Sequence, residues 1–168
     1  MPARPPRDVR DRDPAGRPRN ARPRDAAGRP LPRGASGVER VPDDLVLAPE
    51  EAVAEAQRLL DTGRPFHAHE VLEAAWKAAG PGERELWRGL AQLAVGLTHL
   101  QRANARGAVS LLRRATEHVS HWRAAGDEPP AGLDLDGLVR HAQTLADRVE
   151  QAGTAAASPS DLRPRLRR

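Results

Sequence analysis

The stretch Leu86-Trp87-Arg88-Gly89-Leu90-Ala91-Gln92-Leu93-Ala94-Val95-Gly96-Leu97-Thr98-His99-Leu100 decides the fold. Its apolar residues fall on nearly every side of a helix, the pattern of a helix buried in the middle of a bundle. No segment of the chain alternates with the period of two that a half-buried strand needs. Working outward, helical spacing recurs on both sides. Before it, one helix runs from Pro49, with Glu50 and Glu51 at the positive end of its dipole, to a cap at Gly63. A second helix covers 65–79, stopped by Gly80-Pro81-Gly82. The central helix spans 83–103. After it come 106–125, with Ala108, Leu111, Leu112, Ala115, Val119 and Trp122 inward, and 134–152, with a stripe of Leu138, Val139, Ala142, Leu145, Ala146 and Val149. Connections of a few residues favour antiparallel neighbours. The expectation is all-α: a single bundle of about five helices over residues 45–152.

The composition narrows the function classes. Cys is absent from the 168 residues, which excludes disulfides, thiolate zinc sites and cysteine nucleophiles. No apolar run approaches the roughly 18 residues of a membrane span, and the first residues lack the apolar stretch of a secretory signal, so a cytoplasmic protein is expected. Charge is unevenly distributed. Residues 1–40 hold eleven Arg against five acids, residues 41–152 twelve basic against seventeen acidic residues, and residues 153–168 four Arg against Asp161. The reading is an acidic folded body between two basic tails, 1–44 and 153–168, both expected to be disordered because they offer little apolar surface to offset ordering entropy. Nucleic-acid binding by the folded body is not expected. Weak contact by the Arg-rich tails is compatible with their charge, although they lack aromatic residues to stack on bases. A homodimer is compatible with so small a bundle.

Two features of the helical region carry chemistry. Gly89 and Gly96 lie on one face of the central helix, where each costs about 1 kcal/mol relative to Ala, a cost most simply offset by close approach of another helix. Gln92 lies between them and His99 a further two turns on, and a polar group on such a face needs a partner. The second helix supplies candidates. In Phe66-His67-Ala68-His69-Glu70-Val71-Leu72-Glu73-Ala74-Ala75-Trp76, residues Phe66, His69, Glu70, Glu73 and Trp76 share one broad face. Val71, Leu72, Ala75 and Ala79 form the other. His67 points away from His69 and is expected to be exposed. Trp87 and Trp122 are expected as packing residues, and His118, His121 and His141 sit at spacings that signal nothing.

The same residues resemble a family. Phe66 followed by His69-Glu70-Val71-Leu72-Glu73-Ala74-Ala75-Trp76 is similar to the F-x-x-H-E-x-x-E-x-x-W signature of the bacterial and archaeal domain-of-unknown-function family 309. Arg88-Gly89-Leu90-Ala91-Gln92-Leu93-Ala94 resembles its Gly-Leu-Ile-Gln helix, with Ala91 where a bulkier Ile is frequent. His99 and Asn104-Ala105-Arg106-Gly107-Ala108 resemble its histidine and its Asn-x-x-Gly-Ala turn, and Leu111-Leu112 and Ala115 continue the match. The resemblance covers about residues 50–122. It implies a small all-α bundle and carries no assigned activity.

The candidate site is therefore His69, Glu70, Glu73, Trp76, Arg88, Gln92 and His99, between the second and third helices. Three readings stay open. In one, the group is a satisfied polar network that fixes the packing of these two helices. In another, it is a pocket or partner surface that orients a cationic or amide-bearing ligand. The alternative is a metal-dependent enzyme, a hydrolase for example. There His69 and Glu73 would share a divalent metal, Glu70 would be a further ligand or the general base, and the third ligand would come from His99, His67 or Gln92. His-Glu-x-x-Glu lacks the second His of the zincin motif.

Overall fold

A computed structural model describes residues 22–39, 41–42, 45–126 and 128–167. Five helices follow one another: α1 (Pro49–Asp61), α2 (Pro65–Ala78), α3 (Arg84–Gln101), α4 (Ala105–Ala124) and α5 (Leu135–Ala152), with single 3-10 turns at Pro130–Gly132 and Thr154–Ala156. These bounds agree with the expected spans to within two residues. Among the described residues there is no sheet, only two isolated bridges, Arg24 with Pro30 and Leu133 with Arg167. No described helix is long and apolar enough to cross a membrane.

Local chemistry sets the helix ends. Pro49 and Pro65 start α1 and α2, and the Glu51 carboxylate accepts the Ala48 N–H ahead of α1 at 3.1 Å. Asn104 Oδ1 accepts the Gly107 N–H at 3.0 Å, and Asp134 Oδ1 accepts that of Gly137 at 3.1 Å, capping α4 and α5. Gly63, at φ +70°, turns the chain between α1 and α2.

The central placement of α3 follows its sequence. Eleven of its residues are buried, with α2 packed on one side and α4 on the other; α5 covers α4, and α1 covers α2. The glycine face turns toward α4, not α2. A Cβ at Gly89 would meet Val119 Cγ2 at 2.8 Å and the Ala115 carbonyl at 3.1 Å, and one at Gly96 would meet Leu112 Cγ at 3.0 Å. Trp87 and Trp122 are buried packing residues as expected. Their indole N–H groups donate to Glu83 Oε2 (2.9 Å) and Gly82 O (2.6 Å), so both rings tie down the α2–α3 turn.

Parts of the two flanking segments touch the bundle. Residues 1–21, 40, 43 and 44 lie outside the described residues. Residues 22–39 fold into a turn held by Gly28 N–H to Asp25 O (2.9 Å) and Leu31 N–H to Pro23 O (2.7 Å). That turn rests on the bundle through Arg102 Nε to Ala27 O (2.9 Å), while Arg64 reaches Glu39 O at 2.7 Å. At the other end, residues 153–167 run back across the bundle, and Leu166 is 1% exposed. The physical reason is the same in both places. Backbone-directed hydrogen bonds and one or two inserted side chains hold a segment whose composition alone gives no amphipathic stripe.

Candidate functional site

α2 builds the site. Its entry is fixed by Gln101 of α3, whose Nε2 donates to Gly63 O at 2.8 Å. On its outer face, His69 Nε2 lies 3.4 Å from Glu73 Oε2, and Lys77 Nζ lies 2.8 Å from Glu73 Oε1. Glu73 is thus bridged between an imidazole and an ammonium one turn away on each side. The Phe66 ring lies 6.3 Å from that of His69, tilted by 48°. His69 and Glu73 keep 24% and 33% of their side-chain surface exposed, so this face opens to solvent. His69 Nδ1 is nevertheless buried and has no hydrogen-bond partner among the described residues.

Burial holds the His69 pKa below its ordinary value of 6.5; the Glu73 charge acts in the opposite direction and Lys77 adds to the lowering. The two ring nitrogens thus differ in surroundings: Nε2 faces Glu73 at 3.4 Å, and Nδ1 has no partner among the described residues. His99 is held low as well, by burial and then by Arg102. For both groups the unfolded chain binds protons more tightly than the folded one. Their contribution to stability is complete above about pH 6.5 and is lost as pH falls through the folded values. Chemical denaturation followed from pH 7.5 downward is therefore expected to show stability declining below pH 6.5. His69→Gln is expected to flatten that decline; an unchanged slope in the variant would refute the assignment.

The other expected site residues are divided between this face and its surroundings. Glu70 is half-buried on α2 next to His69. Trp76, at the far end of α2, has Arg84 Cζ 5.9 Å from its ring. Arg88 is exposed and lies 3.7 Å from Glu85, whose other oxygen sits 2.5 Å from His118 Nδ1 on α4. His99 Nδ1 lies 2.7 Å from the Asn104 amide that caps α4. Gln92 has a buried Oε1 without a partner among the described residues. Among the described residues, no hydrogen bond or ion pair joins Arg88, Gln92 or His99 to His69 or Glu73, and no group of three His, Asp or Glu side chains is placed to hold a metal ion. His67, expected to be exposed, is 1% exposed and makes an edge contact with Phe66 at 5.4 Å. α2 is covered on that side by α1, which helical spacing within α2 does not reveal.

Sequence reasoning missed five participants. Arg24 and Arg102 both lie over Phe66, with Cζ 5.2 and 5.7 Å from the ring centroid. Gly28 packs so closely on the same ring that a Cβ there would fall on it. Glu85 and His118 tie α3 to α4. None of these carries a local signal, because each contact joins segments distant in the chain.

Comparison with known proteins finds one family model and one curated relative. Residues 53–111 match the model of a family described as a domain of unknown function, DUF309, a span that includes His69 to Trp76, Gly89 to Gln92 and Asn104 to Ala108. The chain is 34% identical over 86 residues to the uncharacterized protein YpuF of Bacillus subtilis (strain 168), an alignment covering 51% of this chain and 48% of YpuF. The chain thus spans about half the length of that curated relative. No solved structure matches it.

Proposed function

We propose that the chain is a binding module whose α2 face, centred on His69 beside Phe66 and Glu73, receives a ligand or partner group rich in N–H donors. The observation that carries this reading is the unfilled Nδ1 of His69, buried on a face otherwise open to solvent. A buried acceptor left unpaired costs about 1–3 kcal/mol, so a donor arriving there recovers energy the free protein forgoes. Gln92 Oε1 and Gln101 Oε1 on α3 are buried acceptors in the same condition. A polar network that served only to pack α2 against α3 would be expected to close on itself, and these acceptors do not close it. Glu73, held between the imidazole and Lys77, places a carboxylate beside the ring, which suits amines, guanidines and primary amides.

The test is thermal unfolding of the full chain with arginine amide, putrescine and small primary amides, with Zn²⁺ and Mn²⁺ in parallel. At least one donor class is expected to raise the midpoint in a saturable way. His69→Phe, which keeps the ring volume and removes the acceptor, is expected to abolish the rise while remaining folded. An equal rise in His69→Phe, or none from any donor class, defeats the reading. Stabilisation by a metal that disappears in Glu73→Gln would favour metal-dependent chemistry instead.

A further inference from the structure

Around Phe66 the structure gathers cations from two segments far apart in the chain. Arg24 comes from the N-terminal turn, and Arg102 stands at the C-terminal end of α3; both guanidiniums lie within 6 Å of the same phenyl centroid. Arg29, from the same turn as Arg24, reaches the Gln101 carbonyl at 3.5 Å. The charges of Arg24 and Arg29 both act on Arg102, as Arg102 acts on His99. Among the described residues, Asp25 is the one carboxylate acting on Arg102, and its Oδ1 already accepts the Arg29 backbone N–H at 2.7 Å.

A clasp between the turn and the bundle does not need this much positive charge. Neutral donors would hold the Ala27 and Gln101 carbonyls without the repulsion of like charges in a partly desolvated corner. Arg102 spends only Nε on the clasp, at 2.9 Å from Ala27 O; its two terminal NH₂ groups make no hydrogen bond to any described residue. The corner also adjoins the start of α4, where the helix dipole favours an anion.

We infer that Arg24, Arg29 and Arg102 form a binding site for a small phosphoryl group, set between the N-terminal turn and the α3–α4 corner. The guanidinium forks of Arg29 and Arg102 match the several terminal oxygens and the double charge of a phosphomonoester, and an anion there relieves the repulsion that Arg24 and Arg29 exert on Arg102. The ring at the centre of the cluster favours a small anion over single-stranded nucleic acid. Phe66 is overlaid by Gly28 and by two guanidiniums, so it offers no free face for a base to stack on. This inference uses residues other than His69 and stands or falls separately from the donor-ligand reading.

The experiment is titration of the full chain with orthophosphate, followed by ³¹P nuclear magnetic resonance and by thermal unfolding, against sodium chloride at matched ionic strength. A mononucleotide and a ten-residue single-stranded DNA are titrated in parallel. Saturable orthophosphate binding is expected, weakened at least tenfold by Arg102→Gln and retained by Arg58→Gln, whose arginine pairs with Glu55 elsewhere on the surface. His69→Phe is expected to leave it intact. Should Arg102→Gln fail to fold, the exposed Arg29→Gln is expected to weaken binding in its place. Tighter binding of the mononucleotide than of orthophosphate, lost in the same arginine variants, would support a phosphomonoester over free phosphate. No saturable phosphate effect, or one unchanged in the arginine variants, overturns the inference. So does binding of the DNA alone with steep salt dependence, since that is polyelectrolyte attraction and not a built site.

Discussion

Removal of residues 153–168 is expected to lower the midpoint of urea unfolding sharply, and Leu166→Ala alone to cost about 2–5 kcal/mol, the range for truncating a fully buried leucine. Leu166 lies in the main core with Leu133 and Leu135. Its backbone is bonded on both sides: Leu166 N–H donates to Gln57 Oε1 at 2.7 Å, and Leu166 O accepts the Asp134 N–H at 2.8 Å. Gln57 in turn donates to Pro164 O at 3.2 Å. One extended segment therefore joins α1 to the start of α5. Deletion would expose the apolar surface that Leu166 covers and leave the Asp134 N–H without its partner, a further cost of about 1–3 kcal/mol where the site stays dry. Against a total stability of about 5–15 kcal/mol, the shortened chain would sit close to unfolding. Full-length protein, Leu166→Ala and the truncation should give a descending series of midpoints. Identical midpoints would mean that the segment contributes no packing.

This segment also shows where reading the residues stops. The helices were legible because apolar residues at 3.6-residue spacing and capping residues such as Asn104 and Asp134 are local signals. Residues 153–168 contain two leucines, Leu162 and Leu166, among Arg, Pro and Ser. A single leucine inserted between distant helices makes no period. The N-terminal turn was hidden for a related reason. Its contact with the bundle is Gly28 against Phe66 plus guanidinium–carbonyl bonds, and Arg in a Pro-rich stretch reads as solvated charge. Within the candidate site, the shared face of Phe66, His69 and Glu73 was readable from helix geometry, and the structure places His69 and Glu73 in contact. The partners of Arg88 and His99 were not readable. Arg88 turns to Glu85 and His99 to Asn104, both nearer in sequence than the α2 carboxylates and therefore cheaper to meet. The glycines of α3 announced a close helix contact without saying which helix makes it.

That contact yields the second large effect: Gly89→Val is expected to destabilise the fold by about 3 kcal/mol, the upper part of the usual range for overpacking. The new Cβ would stand 2.8 Å from Val119 Cγ2, 3.1 Å from the Ala115 carbonyl and 3.2 Å from His118 Cβ. Val119 has little freedom to move aside, because a β-branched side chain in a helix has one strongly preferred rotamer. The Ala115 carbonyl is part of the α4 backbone and moves only with the helix. Accommodation thus requires α4 to shift away from α3, which would stretch the 2.5 Å contact between Glu85 and His118. Gly89→Ala should show the two opposing effects directly. Helix propensity returns about 1 kcal/mol, while the same three contacts cost 1–3 kcal/mol, leaving a net loss smaller than that of valine. Gly96→Ala should be milder still, because its nearest atoms, at 3.0 and 3.1 Å, belong to the Leu112 side chain and the Leu112 backbone nitrogen is farther, at 3.3 Å. Urea unfolding of the three variants should rank them Gly89→Val, Gly89→Ala, Gly96→Ala from least to most stable. A Gly89→Ala protein more stable than the parent would mean that α3 and α4 stand farther apart than the structure places them, and that propensity alone governs this position.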